Sequence, residues 1–211
     1  MAREDLLLPA RWQRLAWLGL VLGVAGYLTV WLPLAPNALR LIGLEMGEWI
    51  KFLPQVGAGE TPSRNLFYLP PITLGTALML LTVRWPTRRL KSWLARGVGL
   101  LVAMLAFPSV EAIRFEAATE WRLRLGLVVS VAVVGLLMVW AARLPRPVPY
   151  TLIIVVALIG AILPTWAYWS IRPVIAFWVK LPVGIGPGVW LNLAGHLLLV
   201  AAVLASWWQE E

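Results

Sequence analysis

The 211-residue chain has no cysteine, a single histidine, His196, and a single aspartate, Asp5. Without thiols it can form no disulfide, no thiolate metal site, no cysteine-held iron–sulfur cluster and no cysteine nucleophile. One histidine rules out a bis-histidine haem within the chain. A metal site would need carboxylates, and no apolar stretch supplies them. A Ser-His-Asp triad would have to assemble around His196 with its only aspartate at position 5, and there is no G-x-S-x-G elbow. The sequence thus names no catalytic residue, no metal ligand and no cofactor, and it reads as more probably non-enzymatic than enzymatic.

Charge is also scarce. Only 13% of residues are Asp, Glu, Lys or Arg, against 61% hydrophobic. Soluble domains carry roughly a quarter charged residues, so this chain needs lipid as its solvent. The apolar residues come in blocks, and at about 1.5 Å rise per residue a block of about 20 spans the hydrocarbon layer. A closed β-barrel, the other backbone solution in lipid, would show short alternating segments instead of continuous runs. The expected fold is an all-α integral membrane protein of about six transmembrane helices in one bundle, forming a single domain over residues 1–211.

The spans read as 15–34, 66–83, 97–113, 125–142, 150–169 and 189–208. Arg3, Arg11 and Arg14 precede the first, and Pro33 and Pro36 close it. Its apolar core is longer than that of a signal peptide and no small-residue cleavage site follows, so it is taken as retained. In the second, Pro70 and Pro71 place the start of regular helix, because proline is tolerated only in a first turn. Pro108 falls near the end of the third, and Pro164 predicts a kink in the fifth. From Asn37 to Leu53 a helical periodicity puts Arg40, Gly47, Glu48 and Lys51 on one face, with Glu45 outside that stripe. This predicts a short helix lying in the membrane interface on the outer side. The stretch 170–188 reads as an outer connection, partly re-entrant.

Formal charge is +8, but the basic residues are spread through the short connections and form no detached basic domain. Membrane lipids, not nucleic acid, are therefore the expected partners, together with other membrane subunits or further copies of the chain. Arg84, Arg88, Arg89, Lys91 and Arg96 form the densest basic stretch, with no acidic residue among them. The positive-inside rule makes this loop cytoplasmic, which places both termini in the cytoplasm of a multi-pass protein of the cell (plasma) membrane. Fourteen tryptophans, mostly at block ends, read as an aromatic belt.

Leu18 to Ala25 faintly echoes Leu125 to Ala132, and spans two and five both open with prolines, which together hint at an inverted three-plus-three repeat. Apolar helices built from Leu, Val, Gly and Ala match by chance often, so the echo carries little weight. Gly184-Ile-Gly-Pro-Gly188 looks superficially like a phosphate loop, but no strand precedes it and no Lys-Ser or Lys-Thr follows. It reads as a helix entry.

Two pairs could carry chemistry. Asn192 and His196 lie four residues apart on one face of the sixth span, where polar groups are costly and often functional. The plainer reading of this pair is an interhelical hydrogen bond. Glu111 and Arg114, three residues apart at the outer end of span three, suit an interfacial ion pair. Two functional readings follow. The first is a non-catalytic subunit, scaffold or partner-binding component of a membrane complex. The second is a small permease or solute-binding protein with its site on the Asn192 and His196 face.

Overall fold

The computed structural model describes residues 6–34, 39–141 and 143–209 and is 75% helical. Its helices are α1 (Ala10–Tyr27), α2 (Gly43–Ile50), α3 (Pro54–Gly57), α4 (Leu69–Leu81), α5 (Leu90–Ala103), α6 (Val110–Phe115), α7 (Ala118–Ala141), α8 (Pro147–Val179) and α9 (Pro187–Trp207). A 3-10 segment, Arg64–Tyr68, leads into α4, and another, Met104–Ala106, follows α5. The one sheet among the described residues is an antiparallel pair of strands, β1 (Val30–Leu34) and β2 (Leu39–Ile42). By length and composition α7, α8 and α9 are each able to cross a membrane. The chain is therefore a membrane protein by its own apolar helices.

Helix α1 lies against α9, α8 against both α9 and α4, and α4 also against α5 and α7. Both described chain ends lie together: the Trp12 indole donates to Gln209 Oε1 at 2.9 Å, and Arg11 bonds the same oxygen. Tyr150, at the start of α8, donates to the Leu7 carbonyl at 3.0 Å and meets Ser206 at 3.2 Å. Trp17 and Trp85 pack ring to ring, and Arg84 reaches the Leu144 carbonyl. The termini, the loop after α4 and the loop before α8 thus share one end of the molecule.

The apolar blocks and the helices do not coincide throughout, and the differences have local causes. The first block is helical from Ala10, not Leu15, and stops at Tyr27; Val30–Leu34 is then a strand, with Pro33 tolerated because β1 is an edge strand of a two-stranded sheet. Block two begins in the 3-10 segment, and Pro70 and Pro71 fall in the first turn of α4 as expected. Phe107-Pro108 interrupts block three, and α6 restarts behind it with Ser109 as N-cap, its hydroxyl accepting from Ala112 N at 3.1 Å. The connection expected at 114–124 is mostly helical, because α6 runs to Phe115 and α7 begins at Ala118. The interfacial helix is confined to Gly43–Ile50, since residues 39–42 pair with β1 instead. Helix α8 runs through Pro164 and Pro173 to Val179, so most of the expected outer connection 170–188 is helix; Lys180, in the left-handed conformation, ends it. Arg3, Asp5, Pro36, Asn37 and the span boundary at Ala142 lie outside the described residues.

The end of the molecule opposite the termini is built on Trp31, which is fully buried although most of the tryptophans were expected in an interfacial belt. Its indole donates to the Gly26 carbonyl at 2.9 Å, and its ring meets Tyr27, Phe67 and Tyr168 edge to face, a favoured geometry for aromatic quadrupoles. Gly186 N donates to the Trp31 carbonyl at 2.8 Å, and Tyr168 donates to the Gly184 carbonyl at 2.7 Å. The glycine-rich stretch is thereby an extended segment held along β1. This packing fixes the platform on which the polar site rests.

Candidate functional site

At that end, short elements bring six charged side chains and one tyrosine together. Glu48 and Lys51 stand one turn apart across the end of α2, with Nζ to Oε2 3.0 Å. Arg64 and Tyr68 stand at the two ends of the 3-10 segment, and Glu120 and Arg124 stand four residues apart at the start of α7, where that spacing puts them on one face. Glu116 immediately precedes α7. Gly47 lets α2 lie directly on the Tyr68 ring, since a Cβ there would stand 2.6 Å from Cζ.

The charges alternate. Glu48 Oε1 accepts from the Tyr68 hydroxyl at 2.5 Å and from Arg124 Nη1 at 2.6 Å, while the Arg124 guanidinium stacks 4.2 Å from the centre of the Tyr68 ring. Arg64 donates through Nη2 to Glu116 at 2.6 Å and through Nε to Glu120 at 3.0 Å. Lys51 joins the two halves, reaching Glu48 and Glu116, the latter at 2.8 Å. Three carboxylates and three cations thus tie α2, the 3-10 segment and α7 into one unit. They border a cleft of about 1160 Å³ whose apolar wall includes Leu44, Phe52, Leu105 and Phe115.

Burial works against the ionised form of Glu48, but the hydrogen bonds from Tyr68, Lys51 and Arg124 more than offset it and hold its carboxyl at about 2. Glu116 is lowered by the same balance, with Lys51 and Arg64 outweighing desolvation. A carboxylate whose folded pKa is depressed stabilises the fold fully above its unfolded pKa and progressively less as pH falls through the folded value. The thermal midpoint in detergent should therefore hold from pH 7 to about 4.5 and then fall as pH approaches 2. A Glu48→Gln variant, which lacks that titration, should show a shallower acid limb.

The two pairs singled out in the sequence lie elsewhere or apart. His196 and Asn192 are fully buried where α4, α8 and α9 meet. His196 Nδ1 lies 2.9 Å from the Asn192 carbonyl, which can only accept, so Nδ1 carries the proton; Nε2, 2.9 Å from Thr73 Oγ1, is left to accept from that hydroxyl. Asn192 Nδ2 donates to the Gly160 carbonyl at 3.3 Å. A Cβ on Gly160 would overlap both His196 and Thr73, so α8 passes directly against them. The arrangement joins three helices. A Thr73→Val variant should cost about 0.6–1 kcal/mol in a detergent melt, the usual size of such bonds between membrane helices.

Glu111 and Arg114 are both exposed, and no ion pair joins them. Glu111 lines the cleft and Arg114 does not. Sequence reasoning placed Glu48 and Lys51 on one helical face but missed Arg64, Tyr68, Glu116, Glu120 and Arg124 as parts of a site. The available signal was the four-residue spacing within Arg64–Tyr68 and Glu120–Arg124, beside the spacing of Glu48 and Lys51. Compared with known proteins, the chain matches no family model, no curated protein and no solved structure.

Proposed function

We propose that the protein is a non-catalytic, partner- or ligand-binding component of a membrane, crossing it six times with both termini in the cytoplasm and presenting the ion-paired cleft on the outer side. The six crossings are α1, the 3-10 segment with α4, α5, α7, α8 and α9. Support for this topology comes from the shared end of the termini, where Arg11, Arg84, Arg88, Lys91 and Arg143 also lie, and from the carboxylates Glu45, Glu48, Glu111, Glu116 and Glu120 around the cleft at the opposite end.

The observation that carries the binding reading is the state of the cleft's carboxylates. Glu48 and Glu116 are each held by two or more cationic or hydroxyl donors and have lowered pKa values, so neither is a useful proton acceptor near neutral pH. A network of this kind fixes shape and charge, which serves recognition. Nothing comparable supports a permeation site at Asn192 and His196, where the packing is closed.

The test is native mass spectrometry of the protein extracted gently from its own membranes, as wild type and as Ala117→Trp. Ala117 is exposed and lines the cleft, so an indole there fills the mouth without disturbing the core. A protein companion or small molecule retained by wild type and lost from Ala117→Trp is the expected result. A lone chain in both, or a companion held equally by both, would remove the cleft from the function.

A further inference from the structure

Resting on the reading of the cleft as a binding site, we propose that its occupant is an organic cation with an apolar body, an ammonium compound seated on carboxylates and phenyl rings.

The lining carries five carboxylates, Glu45, Glu48, Glu111, Glu116 and Glu120, against three cations, Lys51, Arg64 and Arg124. In a chain with formal charge +8, this surplus of negative charge is local. The two signs are also layered. The Arg124 and Arg64 side chains are 1% and 6% exposed, whereas those of Glu48 and Glu120 are 36% and 46% exposed. The guanidinium nitrogens left without hydrogen-bond partners among the described residues, Nε and Nη2 of Arg124 and Nη1 of Arg64, have essentially no open surface. The two arginines thus stand behind Glu48 and Glu120, while Lys51, 29% exposed, shares the surface with them, and the lining as a whole keeps a net negative charge. An anionic ligand would be repelled by that charge.

Two further features fit a cation with an apolar part. Glu111 is exposed and has no partner among the described residues, which leaves its charge open to a ligand. Phe107 and Phe115 are large exposed apolar rings that line the same cleft, and ring faces attract ammonium groups, as the Lys51 ammonium 5.3 Å from the centre of the Phe52 ring already illustrates. The framework carboxylates remain bonded to their cations while Glu111 and the ring faces meet the ligand.

The experiment is calorimetric titration of the detergent-solubilised full chain with three probes of one shape: benzyltrimethylammonium, benzenesulfonate and benzyl alcohol. Empty micelles serve as the blank. Saturable binding of the cation alone is expected, about fivefold weaker in Glu111→Gln and weaker again in high salt. Glu60→Gln, which removes an exposed carboxylate of the same end outside the cleft lining, should leave binding unchanged. Benzenesulfonate binding as tightly as the cation, cation binding indifferent to Glu111→Gln, or no binding of any probe would overturn the proposal. If Ala117→Trp still strips a companion in native mass spectrometry, the cleft remains a binding site and only its ligand class has failed.

Discussion

Replacing Gly195 with leucine is expected to separate α1 from α9 and to give a large loss of stability, about 3 kcal/mol or more in a detergent melt. The two helices run antiparallel and meet through glycine. A Cβ at Gly195 would stand 2.6 Å from both the Gly19 carbonyl oxygen and Gly23 Cα, and nearer still to Gly23 N. All three are backbone atoms, so no rotamer change can relieve the contact, and the helix axes must part. Close glycine packing of this kind is how helices associate in lipid, where burial of apolar surface gives no drive of its own. Gly97→Ala is the matched control. A Cβ there meets nothing within 4 Å, so the variant should remain within about 1 kcal/mol of wild type. Equal melting of the two variants would mean that the α1 and α9 contact is not a main determinant of the fold.

The apolar runs marked where helices α7 and α9 would lie to within a few residues at α9 and at the C-terminal end of α7, because continuous hydrophobicity over about 20 residues is a strong and local signal. Elsewhere the signal was weaker. Hydropathy cannot distinguish a helix from a buried strand over Val30–Leu34, where the deciding factor is pairing with residues 39–42 beyond a turn. It also missed the continuation of α8 to Val179, since Arg172, Lys180 and the prolines and glycines of 182–188 read as a connection. The polar cleft was least legible. Its seven side chains come from positions 48 to 124 and meet only when α2, the 3-10 segment and α7 are folded together. Local spacing showed Glu48 and Lys51 on one face and gave no sign of what that face would meet. The lone histidine drew attention because it is rare within a span, yet its surroundings are those of a packed helix junction.

Removing the charge of Arg124 should loosen α2 from α7 and cost about 2–3 kcal/mol. Arg124 is almost wholly enclosed and holds Glu48 at 2.6 Å while covering the Tyr68 ring. In Arg124→Gln, Glu48 keeps its charge in a half-buried place with one donor fewer. The estimate stays below the usual cost of orphaning a fully buried charge, because Glu48 retains Lys51, Tyr68 and some contact with water. Arg124→Lys should recover only part of the loss: an ammonium restores the charge but neither stacks as a plane on Tyr68 nor presents a fork of donors. The decisive comparison is the double variant Glu48→Gln with Arg124→Gln. If the pair acts through its mutual interaction, removing both partners should cost less than the sum of the single losses, by about 1 kcal/mol or more. Strict additivity in thermal melts would mean that Arg124 acts chiefly through its stacking on Tyr68, with the pairing to Glu48 incidental to stability.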